Sequence, residues 1–130
     1  MVNEGGVKTW KVDVLPEADK DIAGIVRFTY RREGSAMARE ILKRFRKGKE
    51  QLRTLPERGR IIPELRAINI LIYRELLIHP YRMMYQISEP EHTVFIHIVV
   101  DGRRDLTELL QARLLKPDLG DDEKPGDIGI

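Results

Sequence analysis

The chain has 130 residues, with 23 Lys plus Arg, 21 Asp plus Glu, 3 His and no Cys, for a net charge of +2. That length suits one core rather than two, and 42% hydrophobic with 34% charged residues argues against wholesale disorder. Without Cys, disulfide frameworks, thiolate metal sites and Cys nucleophiles are excluded, and a reducing cytoplasm is the expected compartment.

The opening Met1-Val2-Asn3-Glu4-Gly5-Gly6 has no basic segment leading into an apolar run. Later apolar stretches are strand-sized, so neither secretion nor a membrane partner is expected. Residues 8–14 alternate Trp10, Val12 and Val14 against Lys11 and Asp13, the period of a half-buried strand. Pro16 then suits a first helical turn, with Glu17 and Asp19 near the positive helix end. Leu15, Ala18, Ile22, Ile25, Val26 and Thr29 continue at spacings of three and four, predicting a helix to about Arg32 that Gly34 closes.

Ser35 is the expected cap of a second helix with an apolar stripe of Ala38, Ile41, Leu42, Phe45, Leu52 and Leu55. Its other face carries Arg39, Lys43, Arg46, Lys47, Glu50 and Arg53. The net charge is uneven: residues 27–66 sum to +8, while residues 1–26 sum to −2, residues 67–115 to −1 and the remainder to −3. Such a stripe meets phosphates or an acidic protein, or is simply a solvated helix face. No direct, specific DNA binding is expected, because aromatic residues are not interleaved with the charges.

Pro56, Gly59 and Pro63 predict a loop. Residues 68–79, 81–87 and 93–100 are β-branched and aromatic, broken at His79-Pro80 and around Pro90, and predict a three-strand meander. Asp105 and Glu108 read as a capping box for a final helix with Leu106, Leu109, Leu110 and Leu114 on one face. The whole predicts an α+β domain over residues 1–115: a mostly antiparallel four-stranded sheet, a helical hairpin on one face and a short C-terminal helix near the other. Residues 116–130 have the Pro, Gly and acid content of a disordered tail.

Specific residues add a resemblance. Gly59-Arg60-Ile61-Ile62-Pro63-Glu64-Leu65, Tyr73-Arg74-Glu75-Leu76, Pro80-Tyr81-Arg82-Met83-Met84-Tyr85 and Asp101-Gly102-Arg103-Arg104-Asp105 are similar, in this order, to the RelE/ParE toxins of type II toxin–antitoxin modules. The resemblance covers about residues 8–115. It implies a cytoplasmic growth-arresting toxin of the plasmid-stabilisation type, neutralised by a cognate antitoxin. RelE-like members are ribosome-dependent mRNA endonucleases, whereas ParE-like members inhibit DNA gyrase. Arg82 and Arg103 or Arg104 match positions where RelE-like enzymes hold phosphate. The catalytic Tyr of their last helix has no counterpart in Leu106-Thr107-Glu108-Leu109-Leu110, and Asp101 stands where many ParE-like relatives have His. The Pro-Glu-Leu and Arg-Glu-Leu motifs resemble the ParE side. The expectation is therefore gyrase inhibition without catalysis, with mRNA cleavage on the ribosome as the alternative and a non-toxic interaction protein as a third class.

The candidate site residues are Arg82, His97, Arg103 and Arg104, with Arg74 added as a partner or phosphate contact. Arg82 either holds a phosphate or pairs with Glu75 across strands. Arg74 reads as structural, and Arg103 and Arg104 either meet an anion or are exposed loop charges. His79, His92 and His97 lack metal-ligand spacing, so neither metal nor cofactor is expected. A tight turn at Pro90-Glu91 would pair residues whose numbers sum to 181, placing Tyr81, Met83, Tyr85, Ile87, Val94, Ile96, Ile98 and Val100 on one face. Arg82 and His97 would then share an open face with Met84, Gln86, Phe95 and Val99.

Overall fold

A computed structural model of the chain describes residues 9–115; the expectations for the tail and for the first residues lie outside them. β1 (Lys11–Val14) leads into α1 (Pro16–Glu33) and α2 (Ser35–Thr54), which form the expected hairpin. A 3-10 turn (Pro56–Arg58), β2 (Arg60–Ile61) and the single-turn α3 (Pro63–Arg66) follow. The meander is β3 (Tyr73–Ile78), β4 (Tyr81–Ser88) and β5 (Thr93–Asp101), and α4 (Thr107–Leu114) closes the fold. No helix among the described residues is long and apolar enough to cross a membrane.

The sheet has five strands in the order β1-β5-β4-β3-β2, with β1 parallel to β5 and every other pair antiparallel. The fifth strand is β2, two residues long, in the segment expected to be loop. Arg60 and Ile61 pair with Glu75 and Arg74. Residues 68–72 are not strand. Asn69 takes a left-handed φ of 62°, and the Ile70 N–H turns back to the Leu65 carbonyl. That turn leaves Ile68, Leu71 and Ile72 exposed.

The helix ends depart from the sequence expectation at three points. Gly34, at φ 92°, is the only residue between α1 and α2, so Ser35 is already helical and makes no side-chain cap. Leu55 lies beyond the last turn of α2 with an extended φ and is exposed, because Pro56 stops the helix. At α4 the cap position is Leu106 rather than Asp105, though the Asp105 carboxylate does accept the Thr107 N–H at 3.1 Å.

The core lies on both faces of the sheet. On one face Ala18, Ile22, Ile41, Phe45 and Leu52 of the hairpin cover Met83, Tyr85, Val94, Ile96 and Val99. On the other, Ile62, Leu65, Leu106 and Leu110 cover Tyr73, Met84, Ile98 and Val100. The face expected to be open is therefore covered by α3, α4 and the segments leading into them.

The β4–β5 hairpin turns at Glu89–His92, where the His92 N–H reaches the Glu89 carbonyl at 3.1 Å. Tyr85↔Ile96, Gln86↔Phe95 and Ile87↔Val94 follow the expected register. A bulge then shifts it by one residue, giving Met84↔Ile98, Met83↔Val99 and Arg82↔Val100. His97 is the extra residue on β5. The shift moves Ile98 and Val100 away from the hairpin face and brings Val99 onto it, contrary to strict alternation. Trp10 packs against the hairpin core, and its ring stacks on His92 at 3.9 Å.

Candidate functional site

Alternation along β4 carries the Arg82 side chain to the α3/α4 face, beside Glu75, which sits two residues from its cross-strand partner Leu77. Pro63 starts α3 and sets Glu64 in its first turn, above the same spot. The result is an alternating chain of charges. Arg60 Nε donates to Glu75 Oε2 at 2.7 Å, and Arg82 Nε donates to Glu75 Oε1 at 2.7 Å. The two terminal nitrogens of Arg82 donate to Glu64 Oε2 and Oε1 at 2.9 and 2.7 Å, a bidentate fork. The Glu75 side chain is 0% exposed and that of Arg82 9%, so both charges persist by satisfying each other.

The electrostatics follow from those contacts. The hydrogen bonds from Arg82 hold the Glu64 carboxyl below its usual range, outweighing partial burial. Glu64 in turn raises the Arg82 guanidinium, against desolvation and with help from Glu75. Gly102 makes the arrangement possible. A Cβ there would stand 2.6 Å from Arg82 Cδ and 2.7 Å from Cγ, so only a glycine lets the Arg82 stem pass beneath the turn after β5.

The other arginines point elsewhere. Arg103 reaches back to Asp101, with Nη2 to Oδ2 at 2.6 Å and Nε to Oδ1 at 3.0 Å, and its backbone N–H caps the same carboxylate at 2.9 Å. The Arg103 contacts hold the Asp101 carboxyl down at about 2. Arg103 and Arg82 flank an open cleft of about 210 Å³ that Arg60, His79 and Tyr81 also line. Arg104 is exposed and faces a different hollow, between α1 and α4. Arg74 donates to the Gly59 carbonyl at 2.8 Å and so fastens the segment before β2, in keeping with its structural reading.

His97 and Arg82 do not form the polar pair expected of them. At the bulge the His97 ring packs edge-on against Tyr73 at 5.5 Å, and its Nε2 lies 3.3 Å from Gln86 Oε1. Burial, aided by Arg113, pushes its pKa down to about 4, so the ring is neutral near pH 7. Its carbonyl accepts Arg113 Nη2 at 2.7 Å. Arg113 also reaches Asp21 with Nη1 at 3.2 Å and Nη2 at 3.0 Å, and Asp21 Oδ2 accepts the Val99 N–H at 3.0 Å. This clasp ties α4 to α1 and β5.

Sequence reasoning named Arg82 and its pairing with Glu75 as one of two outcomes. It gave no role to Arg60 or Glu64, although both lie inside the quoted Gly-Arg-Ile-Ile-Pro-Glu-Leu motif. The spacing of Glu64, just after a proline able to start a helix, was the available signal. Asp21 and Arg113, far apart in the chain, carried none.

Chemically, the site holds cations against internal carboxylates. Three of the five Arg82 N–H groups are spent on Glu64 and Glu75. Residues 12–106 match the model of the family described as the ParE toxin of type II toxin–antitoxin systems, parDE. The chain belongs to this family. Among solved structures, the fold of this ParE family member is similar to that of the chromosomal ParDE system from P. aeruginosa, at 14% identity and a TM-score of 0.58, covering 72% of this chain and 96% of that one. It is also similar to the RelBE2 toxin–antitoxin complex from Mycobacterium tuberculosis, at 16% identity and a TM-score of 0.51, over 72% of this chain and 92% of that one. No curated protein matches the sequence. The ParE family thus accounts for the motif succession, and the shared fold spans both the ParE and the RelE branches.

Proposed function

We propose that this ParE family toxin arrests growth by inhibiting DNA gyrase in the cytoplasm and is neutralised by a cognate antitoxin. The observation that carries the reading is the fork of Glu64 on Arg82. A ribonuclease needs its arginines free to meet the scissile phosphate and a group of suitable pKa to take the 2′-hydroxyl proton. Here the central arginine is committed to two carboxylates, and His97 on β5 is half-buried, neutral near pH 7 and in contact with Gln86 rather than with the Arg82 cleft, which His79 lines. An inhibitor that acts by binding requires neither group. The family match over residues 12–106 supports a toxin of the ParE family, and the likeness to toxin–antitoxin structures supports the antitoxin partner.

The test is direct. Expression of the chain alone in bacteria is expected to stop growth, and co-expression of the protein encoded beside it to restore growth. The purified chain is then expected to block supercoiling by gyrase and to leave ribosome-bound mRNA intact. Site-specific mRNA cuts without gyrase inhibition would reassign the toxin to the ribosome, and growth unaffected by a folded chain would leave an interaction protein on this fold.

A further inference from the structure

The outer face of α2 carries a charge pattern that neither the core nor the Arg82 cluster uses. Arg39, Lys43, Arg46 and Lys47 recur at helical spacing and are all exposed, away from Ile41, Phe45 and Leu52, which pack into the core. None of the four has an ion-pair partner among the described residues. The acids of α2 are Glu40 and Glu50, against seven Lys and Arg, and Glu50 already stands 3.7 Å from Arg53. Lys43 lies one turn from Arg39 on one side and from Arg46 and Lys47 on the other, like-charge pairs that each work against the helix and gain nothing within the fold. Toward the end of α2 the cations continue: Lys49 and Arg53 line, with Lys11 of β1, a hollow of about 380 Å³ that no carboxylate borders.

From this we infer that the outer face of α2 is a docking surface for the phosphate backbone of duplex DNA. It rests on the gyrase reading for the source of that DNA, which is the duplex the target enzyme holds. The exposed residues from Arg39 to Lys47 are four cations and Glu40, with no apolar or aromatic side chain among them. A protein interface needs such anchors and is depleted in Lys, so an acidic protein fits this face poorly. A single strand fits poorly as well, because no ring is present there for its bases to stack on. A duplex suits a rigid row of cations. Arg39 and Arg53 stand about 21 Å apart along the helix axis, the length of about six base pairs. Long Lys and Arg side chains on a convex face reach phosphates without entering a groove, and such contacts hold a protein on DNA without reading its sequence. The +8 charge of residues 27–66, in a chain of net +2, draws this face toward the backbone first.

The experiment uses the full chain and a labelled DNA duplex of mixed sequence, about 20 base pairs long, followed by fluorescence anisotropy at graded salt. With four phosphates neutralised, log K is expected to fall with log salt at a slope of about −3 to −4. The triple variant Lys43→Gln, Arg46→Gln and Lys47→Gln is expected to weaken binding about tenfold or more and to bring the slope to about −1. Gln is nearly as good a helix former as Lys or Arg and these positions are exposed, so the Tm is expected to match the parent. A charge-matched control, Lys20→Gln, Arg58→Gln and Arg66→Gln, is expected to leave binding within about twofold, apart from the small effect of net charge. In a supercoiling assay the α2 variant is expected to need about tenfold more toxin than the parent. The inference is overturned if the parent does not bind the duplex, if the control loses as much as the α2 variant, if a double-stranded RNA or a polyglutamate binds more tightly than the DNA, or if the α2 variant inhibits gyrase as well as the parent. A parent that binds the duplex through α2 and leaves gyrase active overturns the gyrase reading and keeps the DNA surface.

Discussion

Replacing Arg82 by Met removes the cation that two carboxylates share. Glu75, with its side chain 0% exposed, keeps only Arg60, whose own side chain is 55% exposed. Glu64 is 35% exposed and turns to water once released. Breaking a buried pair by deleting one partner costs about 3–5 kcal/mol, and the retained Arg60 contact and the rehydration of Glu64 put this case near the lower end, about 3 kcal/mol. For a domain of this size that corresponds to a fall in Tm of about 12 °C or more. Urea titration with an unchanged m-value is the assay. Glu64→Gln, at the wet end of the chain of charges, is expected to cost only about 1 kcal/mol. Arg82→Met combined with Glu75→Leu is expected to recover most of the loss, because Arg60 then simply enters solvent and no charge stays buried alone. A loss below about 1 kcal/mol for Arg82→Met, or a double variant weaker than the single one, would refute the account.

Other expectations concern separate parts of the fold. Tyr85→Phe removes a buried hydroxyl that donates to the Pro56 carbonyl at 2.5 Å and accepts the Gly59 N–H at 3.0 Å; stability is expected to fall by about 1–3 kcal/mol in denaturant titration. His97 is neutral in the fold with a pKa near 4, so the unfolded chain takes up its proton first as pH falls. Stability contributed by His97 is therefore complete above about pH 6.5 and is lost between there and pH 4, and His97→Gln is expected to flatten the stability profile over that interval. Asp101, depressed to about 2 by Arg103, contributes stability that is present above its ordinary carboxyl range and lost as pH falls from there toward 2; Arg103→Gln is expected to bring its NMR titration back to that range. Arg113→Ala opens the clasp on Asp21 and the His97 carbonyl, and is expected to speed amide exchange in α4 ahead of the sheet.

The hairpin of α1 and α2 was legible because each helix shows a helical period against one covered face. The meander was legible as three strands, and the turn at Glu89–His92 correctly fixed the near half of its register. The far half was not. Val94, Ile96, Ile98 and Val100 are all apolar, and so is Val99, so nothing in the residue pattern marks where an extra residue enters. A strand covered on both faces loses the alternation that would reveal its register. The same lack of contrast hid the second core beneath α3 and α4, and with it the burial of Arg82. Arg82 still emerged on the side away from the hairpin, because the bulge lies in β5 and leaves the alternation of β4 intact. β2 and the turn at Asn69 were missed for a local reason: a two-residue strand carries no period, and an isoleucine-rich run looks extended until a left-handed residue folds it back.

The order of the strands also sets a timetable for synthesis. α1 and α2 have been made long before Met83, Tyr85, Val94 and Ile96, against which they bury their apolar stripe, and the sheet neighbour of β1 is β5. A nascent chain that ends before β5 holds a basic, half-apolar hairpin with nothing to cover it. Such distant contacts delay folding until the later strands leave the ribosome. The fold is thus completed only in the last part of translation, and a stop codon placed upstream of β5 is expected to leave an unfolded fragment for proteases rather than a weakened domain.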